Sequence, residues 1–81
     1  MRVALWPRRE IAELEAAAEA AYEAMYDAKR YEVRECYDDA AINLMRAIKI
    51  AEKRGFKDVA ERLKARKTHI YHVYDHQFRA Y

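Results

Sequence analysis

The residues best equipped for chemistry are gathered in one stretch, residues 68–78, which reads THIYHVYDHQF. His69, His72 and His76 are spaced three and four apart, so on a helix they fall within about 60° of one another. Arg62 and Ala65 continue the same strip, and Leu63, Ile70 and Tyr74 occupy the opposite side, so the histidines are expected to be exposed. His72 and His76, at i and i+4, can chelate a divalent metal, with His69 or Asp75 as a further ligand. No cysteine or Glu-x-x-His pattern accompanies them. An exposed imidazole strip also suits a pH-sensitive contact with another subunit, because the ring titrates close to neutral pH; this reading ranks ahead of a metal site. Glu19 and Glu23 lie one turn apart and superficially resemble a carboxylate pair for metal or acid–base work. Without a neighbouring Glu-x-x-His they read as a solvated acidic face.

A second arrangement uses Arg62 and His69, which are separated by six residues. This order resembles the motif of higher-eukaryote-and-prokaryote nucleotide-binding domain ribonucleases. The resemblance implies an arginine that orients phosphate and a histidine that acts as acid or base, and the spacing puts both on one helical face. A third arrangement interleaves cations with aromatics: Arg62, Lys64, Arg66 and Lys67 with Tyr71 and Tyr74 could contact the phosphates of single-stranded nucleic acid and stack on its bases. Cys36 falls on a packing face and reads as an inert apolar residue. The chain has one glycine, so no glycine-rich phosphate cradle exists. No catalytic residue and no cofactor is assigned from the sequence.

The elements that position these residues follow from composition. One glycine and one proline in 81 residues rich in Ala, Glu, Lys and Arg predict a single, nearly all-helical domain. One cysteine permits no internal disulfide and favours a reducing, cytoplasmic setting. No apolar run approaches the ~18 residues that a membrane span needs, and the opening apolar stretch is too short for a secretory signal. A net charge of +2 does not by itself point to nucleic acid, but the distribution of charge is informative. The charged residues of 11–28 are Glu13, Glu15, Glu19, Glu23 and Asp27, whereas those of 53–67 are mostly Lys and Arg, against Asp58 and Glu61. An acidic first helix beside a basic third one, in the same chain or in a second copy, is the simplest account.

Residues 1–7 are expected to form an extended arm, since the residue before Pro7 is pushed out of the helical region; Trp6 and Leu5 would then fold back as a cap. The first helix is expected over 8–30, with Ile11, Leu14, Ala18, Ala21, Met25 and Ala28 making a coiled-coil-like seam rich in alanine. Continued in heptads, that seam would fall on Glu32, Glu35 and Asp39, while the next apolar stripe falls on Tyr37, Ala41 and Leu44. The phase slip marks a turn within 29–35. The second helix is expected over 36–54, its stripe of Tyr37, Ala40, Ala41, Leu44, Ala47, Ile48 and Ala51 wide enough to touch two partners. Lys53, Arg54 and Gly55 form its end. The spacing Tyr37-x-x-Ala40-x-x-x-Leu44-x-x-Ala47-Ile48 resembles the second helix of a tetratricopeptide repeat, and with Phe56 and Ala60 the resemblance covers roughly 37–63. It implies a helical hairpin used for peptide or protein contact. A three-helix domain of the microtubule-interacting-and-trafficking type has the same outline. The third helix is expected over 57–79, with Phe56, Val59, Ala60, Leu63, Ile70, Tyr74 and Phe78 inward.

These readings combine into an all-α, antiparallel three-helix bundle of up-down-up topology. Ile42, Ile50, Tyr71 and Val73, with Tyr31 and Tyr81, look hard to bury in such a monomer and read as a contact surface. The function expected is a protein interaction module that associates with itself, with no membrane contact and nucleic acid not favoured. The alternatives are a metal-dependent or ribonuclease-like helical protein using the histidine strip, and nucleic-acid binding through the basic third helix.

Overall fold

The computed structural model describes residues 2–79, and side-chain surroundings from Trp6 onward; the expected contact at Tyr81 and the capping role of Leu5 lie outside what is described. Three α-helices follow one another: α1 spans Arg2–Asp27, α2 Val33–Lys53 and α3 Lys57–Val73. A single 3₁₀ turn, Arg30–Glu32, precedes α2, and a π-helical turn, Tyr74–Phe78, extends α3. The antiparallel three-helix bundle with up-down-up order is therefore the observed architecture.

The expectation of an extended arm over 1–7 is corrected, because α1 begins at Arg2 and carries Pro7 inside it. The ring removes the amide that would reach the carbonyl of Val3, a cost that is real in a helix interior. Continuing the helix offsets it by packing: Pro7 lies one turn before Ile11 on the inward stripe, and both are buried. The same turn rotates Trp6 about 100° away from Pro7, which leaves it 65% exposed. Trp6 is not the buried cap that its size suggested.

The break between α1 and α2 falls where the phase slip placed it. The Glu32 carboxylate accepts a hydrogen bond from the Lys29 amide (3.2 Å) while the Glu32 amide donates back to the Lys29 carbonyl (2.7 Å). That reciprocal pair closes the turn and satisfies amides that the helix start would orphan. α2 starts at Val33, three residues earlier than expected, because Val33 is buried against Met25 and Tyr74. At the far end Gly55 adopts φ +77°. The Phe56 amide reaches the Ala51 carbonyl at 2.8 Å and the Gly55 amide reaches Glu52 at 3.2 Å, the paired bonds that close a helix through a left-handed residue.

α2 is the middle helix. Its buried Ala40, Leu44, Ala47, Ile48 and Ala51 meet Ile11 and Ala18 of α1 and Ala60, Leu63 and Ile70 of α3 in one core. Alanines on both sides let α1 and α2 approach closely. A smaller cluster, Met25, Val33 and Tyr74, closes the end that holds the 3₁₀ and π turns. α1 and α3 run parallel and are joined mainly by long side chains. Glu15 pairs with Arg62 and Glu19 with Arg66, each 47 residues apart. Arg8 lies over the Phe56 ring at 4.0 Å, and Tyr26 meets Phe78 edge-on at 5.2 Å. The Cα trace measures 48 × 19 × 13 Å, a flattened layer with α2 at its centre. No helix among the described residues is long and apolar enough to cross a membrane.

Candidate functional site: a cationic groove between the second and third helices

The residues singled out for chemistry are largely committed within the chain. Both Arg62 guanidinium ends donate to Glu15, at 2.6 and 3.1 Å. Arg66 binds Glu19 the same way, Nε and Nη2 each at 2.7 Å, and also lies 5.1 Å from the Tyr22 ring centre. Such two-point pairs fix geometry as well as charge. The Arg66 hydrogen bond holds the Glu19 carboxyl below its ordinary pKa against the opposing effect of burial, with His69 adding a smaller attraction. Lys64 pairs with Glu52 at 2.8 Å. Of the four cations expected to meet nucleic-acid phosphates, Lys67 alone has no ion pair among the described residues. Tyr74 is buried and stacked on Tyr37, ring centres 4.3 Å apart, so it offers no face to a base.

The histidine strip is exposed as expected, but its members part company. His72 stacks on His76 with ring centres 6.0 Å apart, whereas His69 is close enough to α1 for its charge to act on Glu19. Asp75, the extra donor, accepts from Arg79 at 3.0 Å. Among the described residues, no group of three or more His, Cys, Asp or Glu forms a set able to hold a metal ion, so His69, His72 and His76 do not make one ligand set. Arg62 and His69 share a helical face, yet Arg62 would have to release Glu15 before it could orient a phosphate. Cys36 is half-buried, and burial first, then Asp39, Glu32 and Glu35, pushes its thiol pKa up. It stays protonated and unreactive near neutral pH.

Two of the expected contact residues are corrected. Ile50 is half-buried against the main core, and Val73 packs on the Met25–Val33–Tyr74 cluster. Ile42 and Tyr71 do remain exposed, at 43% and 40%. The structure adds Met45, 44% exposed, which the sequence reading had not singled out.

Met45 and Tyr71 belong to an open groove of about 560 Å³ between α2 and α3. Its floor is Tyr37 and Ile48, its walls Met45 on α2 and Tyr71 on α3. Lys49, Lys67 and the Lys64–Glu52 pair line the rim, so the charge is net positive. The groove exists because α1 occupies one flank of α2 only. On the other flank Met45, Lys49 and Glu52 recur every three or four residues and face Lys64, Lys67, Thr68 and Tyr71 at the same spacing. That double periodicity was present in the sequence, but the wide apolar stripe of α2 drew attention to the core. Lys49 is exposed and has no ion pair among the described residues.

Fold and groove together define a small all-α bundle with an open, cationic, apolar-floored channel on one face. Comparison with known protein families, with curated proteins and with solved structures finds no match. The repeat-like spacing of residues 37–63 therefore stands on this chain alone, where Ala40, Ala47 and Ala51 serve close packing of α2 against its neighbours.

Proposed function

We propose that this protein is a helical interaction module whose α2–α3 groove receives an acidic, amphipathic helical segment. The observation that carries this reading is the groove itself: an apolar floor flanked by two exposed, adaptable side chains, Met45 and Tyr71, and rimmed by Lys49 and Lys67, which have no ion pair among the described residues. Methionine fills irregular gaps and suits surfaces that accept a helix. A lysine rim selects acidic flanks and speeds encounter more than it deepens affinity. The polar groups in the groove are lysines, the Glu52 carboxylate paired with Lys64, a threonine and two tyrosines, a set that recognises a shape and the complement of a net positive charge.

An ¹⁵N-labelled sample titrated with a designed acidic amphipathic helix peptide, and separately with polyglutamate, tests this. Amide shifts confined to α2 and α3 around Met45, Lys49, Lys67 and Tyr71 are expected with the amphipathic peptide at roughly 10–500 μM, and much weaker ones with polyglutamate. Met45→Glu should abolish them while leaving the helical circular dichroism unchanged. Shifts scattered over the whole surface, or equal responses to both peptides, would overturn the reading.

A further inference from the structure

Resting on that reading of the groove, we infer that its occupant is the outward face of α1 from a second copy, so that the chain assembles head to tail. The two faces complement each other on the same molecule. On α1, Ala16, Ala20 and Ala24 form an exposed ridge one turn apart, flanked by Glu23 and Asp27. Neither carboxylate has an ion pair among the described residues. The other acidic residues of the middle of α1, Glu15 and Glu19, are paired with Arg62 and Arg66 of the same chain. Glu23 and Asp27 continue the row of Glu15 and Glu19 by one and two further turns, beyond the last arginine pair, so among the described residues their charge is not taken up by α3. On the far flank of α2, Lys49 and Lys67 line the groove with no ion pair among the described residues.

Shape agrees with charge. A helix face built of alanine carries no long side chain outward along its crest, so its backbone can come close to Met45 and Tyr71 and the groove need not be deep. α1 already meets α2 through alanine in the bundle, and the outer ridge repeats that device. The carboxylates Glu23 and Asp27 then lie beside the lysine rim.

Placement on the fold fixes the kind of assembly. α1 flanks α2 on one side and the groove opens on the other, so donor and acceptor faces point in different directions. A contact between unlike faces is heterologous, and without a closing rotation it continues from copy to copy. The ion pairs at its edge are solvent-exposed, so salt weakens the contact.

Sedimentation of the full chain from about 10 μM to about 1 mM at low salt is the test. The weight-average mass should rise continuously, pass twice the monomer mass without a plateau, and fall when ~0.5 M salt is added. Lys49→Glu with Lys67→Glu, and separately Glu23→Lys with Asp27→Lys, should each give a monomer with unchanged helical content. Mixing the two variants should restore growth, because every contact in an alternating chain again pairs opposite charges. A wild-type mass fixed at the monomer, a plateau at the dimer, or growth indifferent to both reversals would each overturn the inference. The peptide titration separates its failure from that of the groove: a groove that seats the acidic helix in a chain that stays monomeric overturns self-assembly and leaves the docking site in place.

Discussion

At the scale of single residues, Leu44 is fully buried at the meeting point of the three helices. Leu44→Ala removes core volume from a site hemmed in by rigid neighbours and should cost about 2–5 kcal/mol. Urea denaturation reads this directly, and an unchanged midpoint would mean that α2 does not bury this face. Glu19 gives a pH-dependent counterpart. Its carboxyl is held below the ordinary range chiefly by the Arg66 hydrogen bond, so the folded state binds that proton less readily than the unfolded chain. The contribution is complete above the ordinary carboxyl pKa and disappears as pH falls through that range toward the lower folded value. Stability measured from about pH 6 to about pH 2 should fall less steeply in Glu19→Gln than in the parent chain, because one carboxylate has been taken out of the linkage. An identical slope would show the pair to be energetically idle in solution. The residues that misled the sequence reading did so for a common reason. Ile50 and Val73 were read from position on an ideal helix and Trp6 from its size on an extended arm, whereas their surroundings depend on how the helices pack and on where α1 begins, which neither signal reports.

At the scale of elements, the ends of α2 carry the clearest prediction. Gly55 sits at φ +77°, and a Cβ built there meets nothing within 4 Å. Gly55→Ala is therefore free of collision and pays only the backbone cost of the left-handed region, about 1–2 kcal/mol. Gly55→Asn should recover part of that loss, since asparagine tolerates the conformation better. A thermal melt of the three chains should rank them glycine, asparagine, alanine. Equal melts would mean that the α2–α3 turn reshapes at no cost. The middle and last helices were legible because their signals are local: the alanine–leucine stripe of α2, the Lys-Arg-Gly stop, and the inward Leu63 and Ile70. The start of α1 was not, because proline biases its neighbour locally while the burial of Pro7 beside Ile11 is a tertiary gain. The π turn after Val73 was equally hidden. It follows from the stacking of Tyr74 on Tyr37 and the contact of Phe78 with Tyr26, rings supplied by three different helices.

On the scale of the whole molecule, the segregation of acidic and basic stretches foretold that α1 and α3 would lie side by side, and Glu15–Arg62 and Glu19–Arg66 bear this out. The same pairing engages two cations of the third helix, Arg62 and Arg66, with carboxylates of α1. The groove was the least legible feature, since a concavity belongs to two helices at once and needs their relative rotation. Once α1 is placed on one flank of α2, the open flank with Met45, Lys49 and Tyr71 follows.

The ladder between α1 and α3 has one more property. Its rungs repeat every four residues on both helices, and Glu23, with no ion pair among the described residues, stands where the next one would begin. If α3 slid by one turn, about 5.4 Å, Arg62 would face Glu19 and Arg66 would face Glu23, and the count of ion pairs between α1 and α3 would be unchanged. The charges work like a rail: they hold the two helices abreast but are blind to position along the track. The stop is steric, set by Leu63 and Ile70 seated in the core and by the short tether at Gly55. Axial registration in this protein is thus a matter of volume, and lateral registration a matter of charge.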